Sequence, residues 1–456
     1  MDGLEASVQK MREEGIAEPA IDAFSHYYRL LSEGHSGMLA ESDIEPLGDL
    51  PDADALTDVA PPELLDRVVV LKLNGGLGTS MGMTGPKSLL EVKDGLTFLD
   101  VTAQQLIEVR RRSGARLPLV LMNSFATREA SLAALERYPE LRSDVPPDFL
   151  QGKVPKLLAE DLTPVEWPQD PVLEWAPPGH GDLYTSLITS GMLEKLLDSG
   201  YEYAFVSNVD NLGAVLEPRI LAWFASEGLS FAMETPDRTE ADRKGGHPAR
   251  LRASGDMVLR EKAQTPDEDL ESLQDTARHR YFNANNLWLS LSSLRETLSE
   301  RDGVLGLPMI VNRKTVDPGD SSSPAVIQLE TAMGAALGVF EGAAAIRVPR
   351  ERFTPVKTTN DLLVLRSDAY EIADDGNVRL VAPEVPFVDL DSDYFQVLRG
   401  FDARFAHGPP SLIGARRLAV HGDVAFGRGV TVRGAVTVEN DDHGQTQIED
   451  GAVLEG

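Results

Sequence analysis

Four short apolar runs separated by amphipathic stretches constrain this chain more than anything else in it. RVVVLKL (67–73), LPLVLMNS (117–124), YAFVSNVD (203–210) and LSFAMET (229–235) have the length of buried strands bounded by polar or turn residues. Between and around them lie helical patterns: FLDVTAQQLIEVRRR (98–112), ATREASLAALERY (126–138) and LYTSLITSGMLEKLLDSG (183–200). Such alternation predicts βαβ units and an α/β fold, with a mostly parallel sheet covered by helices on both faces.

Both ends of the chain read differently. Val8, Met11, Ile16, Ile21, Phe24, Tyr28 and Leu31 recur at helical spacing, which predicts two N-terminal helices. The segment EPLGDLPDADALTDVAPPE (45–63) then reads as an extended connection. Near the C-terminus, Leu418, Val424, Val430 and Val436 fall at intervals of six, and Val420, Phe426, Val432 and Val438 form a second series in phase. That repeat predicts a parallel β-helix, interrupted by an exposed loop at ENDDHGQTQ (439–447). Its open end is a candidate contact between copies of the chain, hence a homo-oligomer. We expect three units: 1–62 helical segment and connection, 63–380 α/β domain, 381–456 β-helix domain.

With 456 residues and 25% charged residues, the chain has the size and composition of a folded multi-domain protein. It has no cysteine, which excludes disulfides and thiolate chemistry and fits a reducing compartment. The start MDGLEASVQKMREEG has neither a basic nor an apolar leader region, and nothing approaches the roughly 18 apolar residues of a membrane span. A cytoplasmic location is expected. A formal charge of -30 repels nucleic acid and anionic lipid, so neither is expected as a partner. Any anionic substrate must be met by a few locally placed cations.

The stretch LNGGLGTSMGMTGPK (73–87) follows the first strand directly. A glycine-rich turn there exposes backbone N–H groups to a large anion, and phosphate is the usual guest. The spacing is not Walker A, because Pro86 precedes Lys87, and it also misses the dinucleotide fingerprint. Asn74, Asn123 and Asn208 stand at strand ends, where ligands gather in open α/β sheets. For Asn123 a turn-capping role is the preferred reading.

Taken together, these residues resemble a known family. LNGGLGTSMGMTGPKS with GLTFLD closely resembles the eukaryotic-type UTP-glucose-1-phosphate uridylyltransferases. PLVLMNSFAT, PPGHGDLYTSL, YAFVSNVDNLGA, KGG (244–246), FNANNLWLSL, VIQLETAMGAA and VPRERFTPVKTTNDLLVL match in the family's order. The resemblance implies a Rossmann-like nucleotidyltransferase domain and a left-handed parallel β-helix. It implies reversible transfer of a uridylyl group from UTP to glucose 1-phosphate, with Mg2+.

The residue roles follow from the same resemblance. Lys87 and Lys357 are implied as catalytic phosphate ligands, and Asp210 as the metal ligand, although an Asp there also suits a helix cap. Leu73, Asn74, Gly75, Gly76, Gln151 and Gly179 are implied on the nucleotide side, with Gln151 offering the uracil edge both a donor and an acceptor. His180, Asn208, Val209, Gly246 and Asn286 are implied on the sugar-phosphate side. The chain departs from the pattern at Met83, Thr84 and His247 without losing any named group. Two alternatives are a pyrophosphorylase for N-acetylhexosamine or a broad range of sugar 1-phosphates, and a non-catalytic UDP-sugar sensor or scaffold. Joint retention of Lys87, Asp210 and Lys357 argues against the sensor.

Overall fold

The computed structural model describes residues 2–239, 242–441 and 444–456. Its centre is a seven-stranded sheet made of β1 (Val68–Asn74), β2 (Leu119–Asn123), β3 (Asp148–Leu150), β4 (Tyr203–Asn208), β5 (Phe231–Pro236), β6 (Leu287–Ser290) and β7 (Ala343–Val348). They lie in the order β7-β5-β6-β4-β1-β2-β3. β1 is parallel to β2 and β4, β2 to β3, and β5 to β7, while β6 runs against both neighbours. The fold is therefore mixed α/β with a parallel-rich central sheet.

Both faces of that sheet are covered. Val69, Leu71, Val120 and Met122 pack into one apolar core, whereas their neighbours Val68, Val70, Leu119 and Leu121 pack into another. Period-two alternation in strands buried on both sides produces this division, and it explains why the runs read as continuously apolar. The helix Phe98–Ser113 begins with a reciprocal cap: Asp100 N donates to Thr97 Oγ1 at 3.2 Å and Thr97 N to the Asp100 carboxylate at 2.9 Å. The expected helix 183–200 is two helices, Asp182–Thr189 and Met192–Asp198, because Gly191 at φ +70° turns the chain between them.

The N-terminal reading meets α1 (Gly3–Glu13) and α2 (Glu18–Ser32), with Met11, Ile21, Phe24 and Tyr28 buried against Leu157, Ile327 and Leu329. Ile16 falls in the turn between them. The connection after them holds a three-residue strand, Ile44–Pro46, and short helical turns at Ala53–Ala55 and Pro62–Leu65.

In the C-terminal region, Phe387–Leu390, Ser411–His421, Thr431–Glu439 and Val453–Glu455 form a parallel four-stranded sheet, and Val424–Phe426 pairs in parallel with Thr446–Ile448. Leu418 faces Val436, and Val420 faces Val438, so the two hexad series stack in register. Part of the expected loop ENDDHGQTQ, residues 442 and 443, lies outside the described residues, and its last residues open the strand Thr446–Ile448. The apolar core of this region continues through Met81, Phe98, Val356 and Leu362–Leu365 and so reaches under the glycine-rich loop. Among the described residues, no helix is long and apolar enough to cross a membrane.

Candidate active site

Parallel pairing of β1 with β2 and β4 brings three carboxyl ends to one rim of the sheet. The chain leaving β1 forms a closed loop there: Lys87 N donates to Gly76 O at 3.1 Å, and Leu77 pairs with Pro86. Met81, inside the loop, is buried in the C-terminal core. The glycines are thus held at their far side, and their near side borders a cavity of about 310 Å³.

Leu73, Gly75, Gly76, Lys87, Gln151 and Gly179 line that cavity, as do His180, Asn208, Val209 and Asp210. Met122 and Pro177 line it too; sequence reasoning missed them, although both sit inside blocks that it had singled out. A larger hollow of about 610 Å³ lies elsewhere, bordered by Ala60, Leu216 and Arg379. Converging charges, bare backbone and strand ends mark the smaller cavity as the candidate site, and volume does not.

Two glycines border neighbours closely, and at Gly179 the neighbour is backbone, so only glycine fits there without strain. A Cβ at Gly75 would collide with the Gln151 amide, and one at Gly179, whose φ is +78°, would collide with the Thr331 backbone. Gly76 has open space above it, the condition for close approach by a ligand. Gln151 is set by its own N–H, which donates to Asn123 O at 2.8 Å, while Gly152 N donates to Asp182 at 2.6 Å. Burial raises the pKa of that Asp182 carboxyl.

The site's charges already meet one another. Lys87 Nζ donates to Asp210 Oδ2 at 2.6 Å, with the side chains 16% and 21% exposed. His180 Nδ1 accepts from Met333 N at 3.1 Å, so in the neutral ring the proton sits on Nε2. Burial pushes the His180 pKa down to about 4, and the ring stays neutral at physiological pH.

The remaining expected residues lie off this cavity. Asn74 turns its side chain inward, donating to Asn123 Oδ1 at 2.7 Å and Ser131 Oγ at 2.8 Å. Asn123 is itself buried and donates to Asp148, in keeping with a structural role. Asn286 is fully buried, with its amide spent on Glu234, the Arg352 carbonyl and Asn211.

Gly246 and Lys357 belong to a second cluster. A Cβ at Gly246 would collide with the Glu261 carboxylate. Burial raises the Glu261 pKa, opposed by a hydrogen bond with Asn283 and by the charge of Lys357. Sequence reasoning missed Glu261, whose local pattern, a reciprocal cap with Gln264, reads as ordinary helix chemistry. Lys357 is exposed, with its ammonium 5.6 Å from the Phe353 ring, just before the cap of the helix Thr359–Arg366. Val356 N donates to Asp210 O at 3.3 Å, so one residue separates Lys357 from a direct tie to the first cluster.

Among the described residues no group of three or more His, Asp or Glu side chains is placed to hold a metal. Asp210 alone suits an ion such as magnesium, which takes one or two carboxylates and completes its shell from substrate phosphates and water.

A family model described as UTP--glucose-1-phosphate uridylyltransferase matches residues 21–433. The UTP--glucose-1-phosphate uridylyltransferase of Hordeum vulgare is 39% identical over 468 residues, covering 100% of this chain and 96% of that one. That of Solanum tuberosum is 42% identical over 397 residues, covering 86% and 81%. Among solved structures, a variant of UDP-glucose pyrophosphorylase from Leishmania major in complex with UDP-glucose superposes with a TM-score of 0.95 at 46% identity, covering 100% and 98%. A UDP-glucose phosphorylase from Trypanosoma brucei gives 0.92 at 44%, covering 99% and 98%.

Proposed function

This chain belongs to the UTP--glucose-1-phosphate uridylyltransferase family, and from that premise we propose how its own residues carry the reaction. It is a nucleotidyltransferase that converts UTP and glucose 1-phosphate to UDP-glucose and pyrophosphate. A phosphate oxygen of the sugar attacks the α-phosphorus in line, and pyrophosphate leaves. That oxygen belongs to a monoester with a second pKa of about 6, so it is an anion at neutral pH and needs no general base. Catalysis then rests on position and on positive charge.

The convergence of bare glycine backbone, Lys87, Asp210 and His180 on one cavity carries this reading. Gly75 and Gly76 lay backbone against the nucleotide beside Leu73 and Asn74, and Gln151 with Gly179 reads the uracil. Lys87 exchanges Asp210 for the phosphates of UTP. His180 donates its Nε2 proton to the sugar phosphate, and Asn208 and Val209 shape that side. Lys357 approaches from the second cluster, where Gly246, Glu261 and Asn283 offer polar groups to the sugar hydroxyls, and Asn286 supports them from beneath. Magnesium held by Asp210 and the phosphates would supply further charge neutralisation.

We also read the C-terminal coils as a β-helix, a reading their parallel register supports, left-handed as the family resemblance implies, with its open end as a contact between copies. The units 1–62, 63–380 and 381–456 and a cytoplasmic location complete the proposal.

The test supplies magnesium, one of several nucleoside triphosphates and one of several sugar 1-phosphates, and follows pyrophosphate release. UTP with glucose 1-phosphate should give the highest kcat/KM. No release from that pair would overturn the reading.

A further inference from the structure

Directly beneath the Asp210 peptide lies a buried polar network that the reaction does not touch. At its centre Glu234, on β5, is fully buried. One of its oxygens accepts from Arg352 Nη2 at 2.6 Å and Trp288 Nε1 at 3.0 Å, and the other from Arg352 Nε at 2.7 Å and Asn286 Nδ2 at 3.0 Å. Four donors occupy one carboxylate, two of them the parallel fork of a guanidinium. That geometry allows Arg352 a single orientation.

The network continues to both walls of the site. The Arg352 carbonyl accepts from Asn286 and from Asn211, each at 3.1 Å. Asn211 also donates to Asn286 Oδ1 at 3.1 Å, and its own oxygen accepts from Thr354 N at 2.9 Å and Gly213 N at 3.2 Å. Asn211 is the residue after Asp210, and Thr354 lies three residues before Lys357. The strand leading to Asp210 is tied from its other side as well, where buried Lys72 donates to Ser207 Oγ at 2.7 Å and Ala214 O at 2.8 Å.

We propose that Glu234 is a positioning residue for uridylyl transfer: through Arg352, Asn286 and Asn211 it sets the spacing between the Asp210 turn and the segment that carries Lys357. This rests on the reading that Asp210 and Lys357 act on the same phosphates. A carboxylate with four donors is more than packing requires, because an apolar residue of similar volume would fill the space at no desolvation cost. Asp210 and Lys357 come from segments far apart in the chain, and a shift of about 1 Å between such groups can cost about a hundredfold in rate.

The test is Glu234→Gln, which keeps the shape but sets an N–H against donors of Arg352, Trp288 or Asn286. Turnover should fall about tenfold to a hundredfold, with KM for UTP and for glucose 1-phosphate within about threefold of the parent protein. Leu196→Ala, a core change on the opposite face of the sheet from the network, is the stability control: it should lower the melting temperature and leave turnover within about twofold. Arg352→Lys, which keeps the charge but loses the fork, carries the same expectation as Glu234→Gln and replaces it if that variant does not fold. Unchanged turnover, a rise in KM that accounts for the whole loss, or an equal loss in Leu196→Ala at matched stability would each overturn the proposal. Failure of the parent protein to release pyrophosphate would instead overturn the functional reading.

Discussion

Two ion pairs sit back to back in this molecule, and they are built for opposite ends. Lys87 and Asp210 share one contact of 2.6 Å at the wall of a cavity, with both side chains part-exposed. Arg352 and Glu234 share two contacts, are 11% and 0% exposed, and leave the carboxylate no lone pair to spare. The first pair can change partners when phosphates arrive, because each member keeps access to solvent and loses little on parting. The second cannot, since either charge left alone would be stranded in a low-dielectric interior. Asp210 and Asn211 are consecutive, so mobile and immobile chemistry are separated here by one peptide bond.

Removing one partner from each pair is the strongest way to break this comparison. Arg352→Met should cost about 3–5 kcal/mol in urea unfolding, because Glu234 is left buried without its counter-charge. Lys87→Met should cost less than about 1 kcal/mol, since Asp210 stays in reach of water. Equal losses in the two variants would erase the distinction. The next effect is on rate. Lys357→Ala should lower turnover at least about a hundredfold, on the scale of one lost transition-state contact, with the urea midpoint nearly unchanged. Near-normal pyrophosphate release would remove Lys357 from the catalytic set.

The loose half was legible in the sequence and the tight half was not, for a physical reason. Lys87 and Asp210 stand next to glycine turns and strand ends, where local composition announces bare backbone and exposed charge. Glu234 sits inside LSFAMET, a run whose other residues announce only a buried strand, and nothing local says that its carboxylate meets Arg352 more than a hundred residues later. Asn286 shows the same limit from the other direction: FNANNLWLSL marks it for attention, but only the tertiary structure shows its amide fully spent on neighbours. Four of the seven central strands were readable as continuous apolar runs because both their faces are buried, and the N-terminal helices from periodicity because only one face of each is. The break at Gly191 was not, since the apolar spacing runs straight through it.

The smallest expected effect concerns protonation and sharpens the loose half. Burial holds His180 at a pKa of about 4, well under its ordinary value near 6.5, and its Nδ1 is occupied by Met333 N. The folded state therefore binds this proton less readily than the unfolded chain. Its contribution to stability is complete above about pH 6.5 and is lost as pH falls from there toward 4. Between about pH 5.5 and 8 the ring stays a neutral Nε2–H donor, so any inflection of kcat/KM near pH 6 belongs to the second ionisation of glucose 1-phosphate. His180→Gln, which keeps a donor but cannot titrate, should lower kcat/KM without moving that inflection. If the inflection vanishes with the histidine, the ring is titrating in the working enzyme, and the loose half of the site switches its charge as well as its partners.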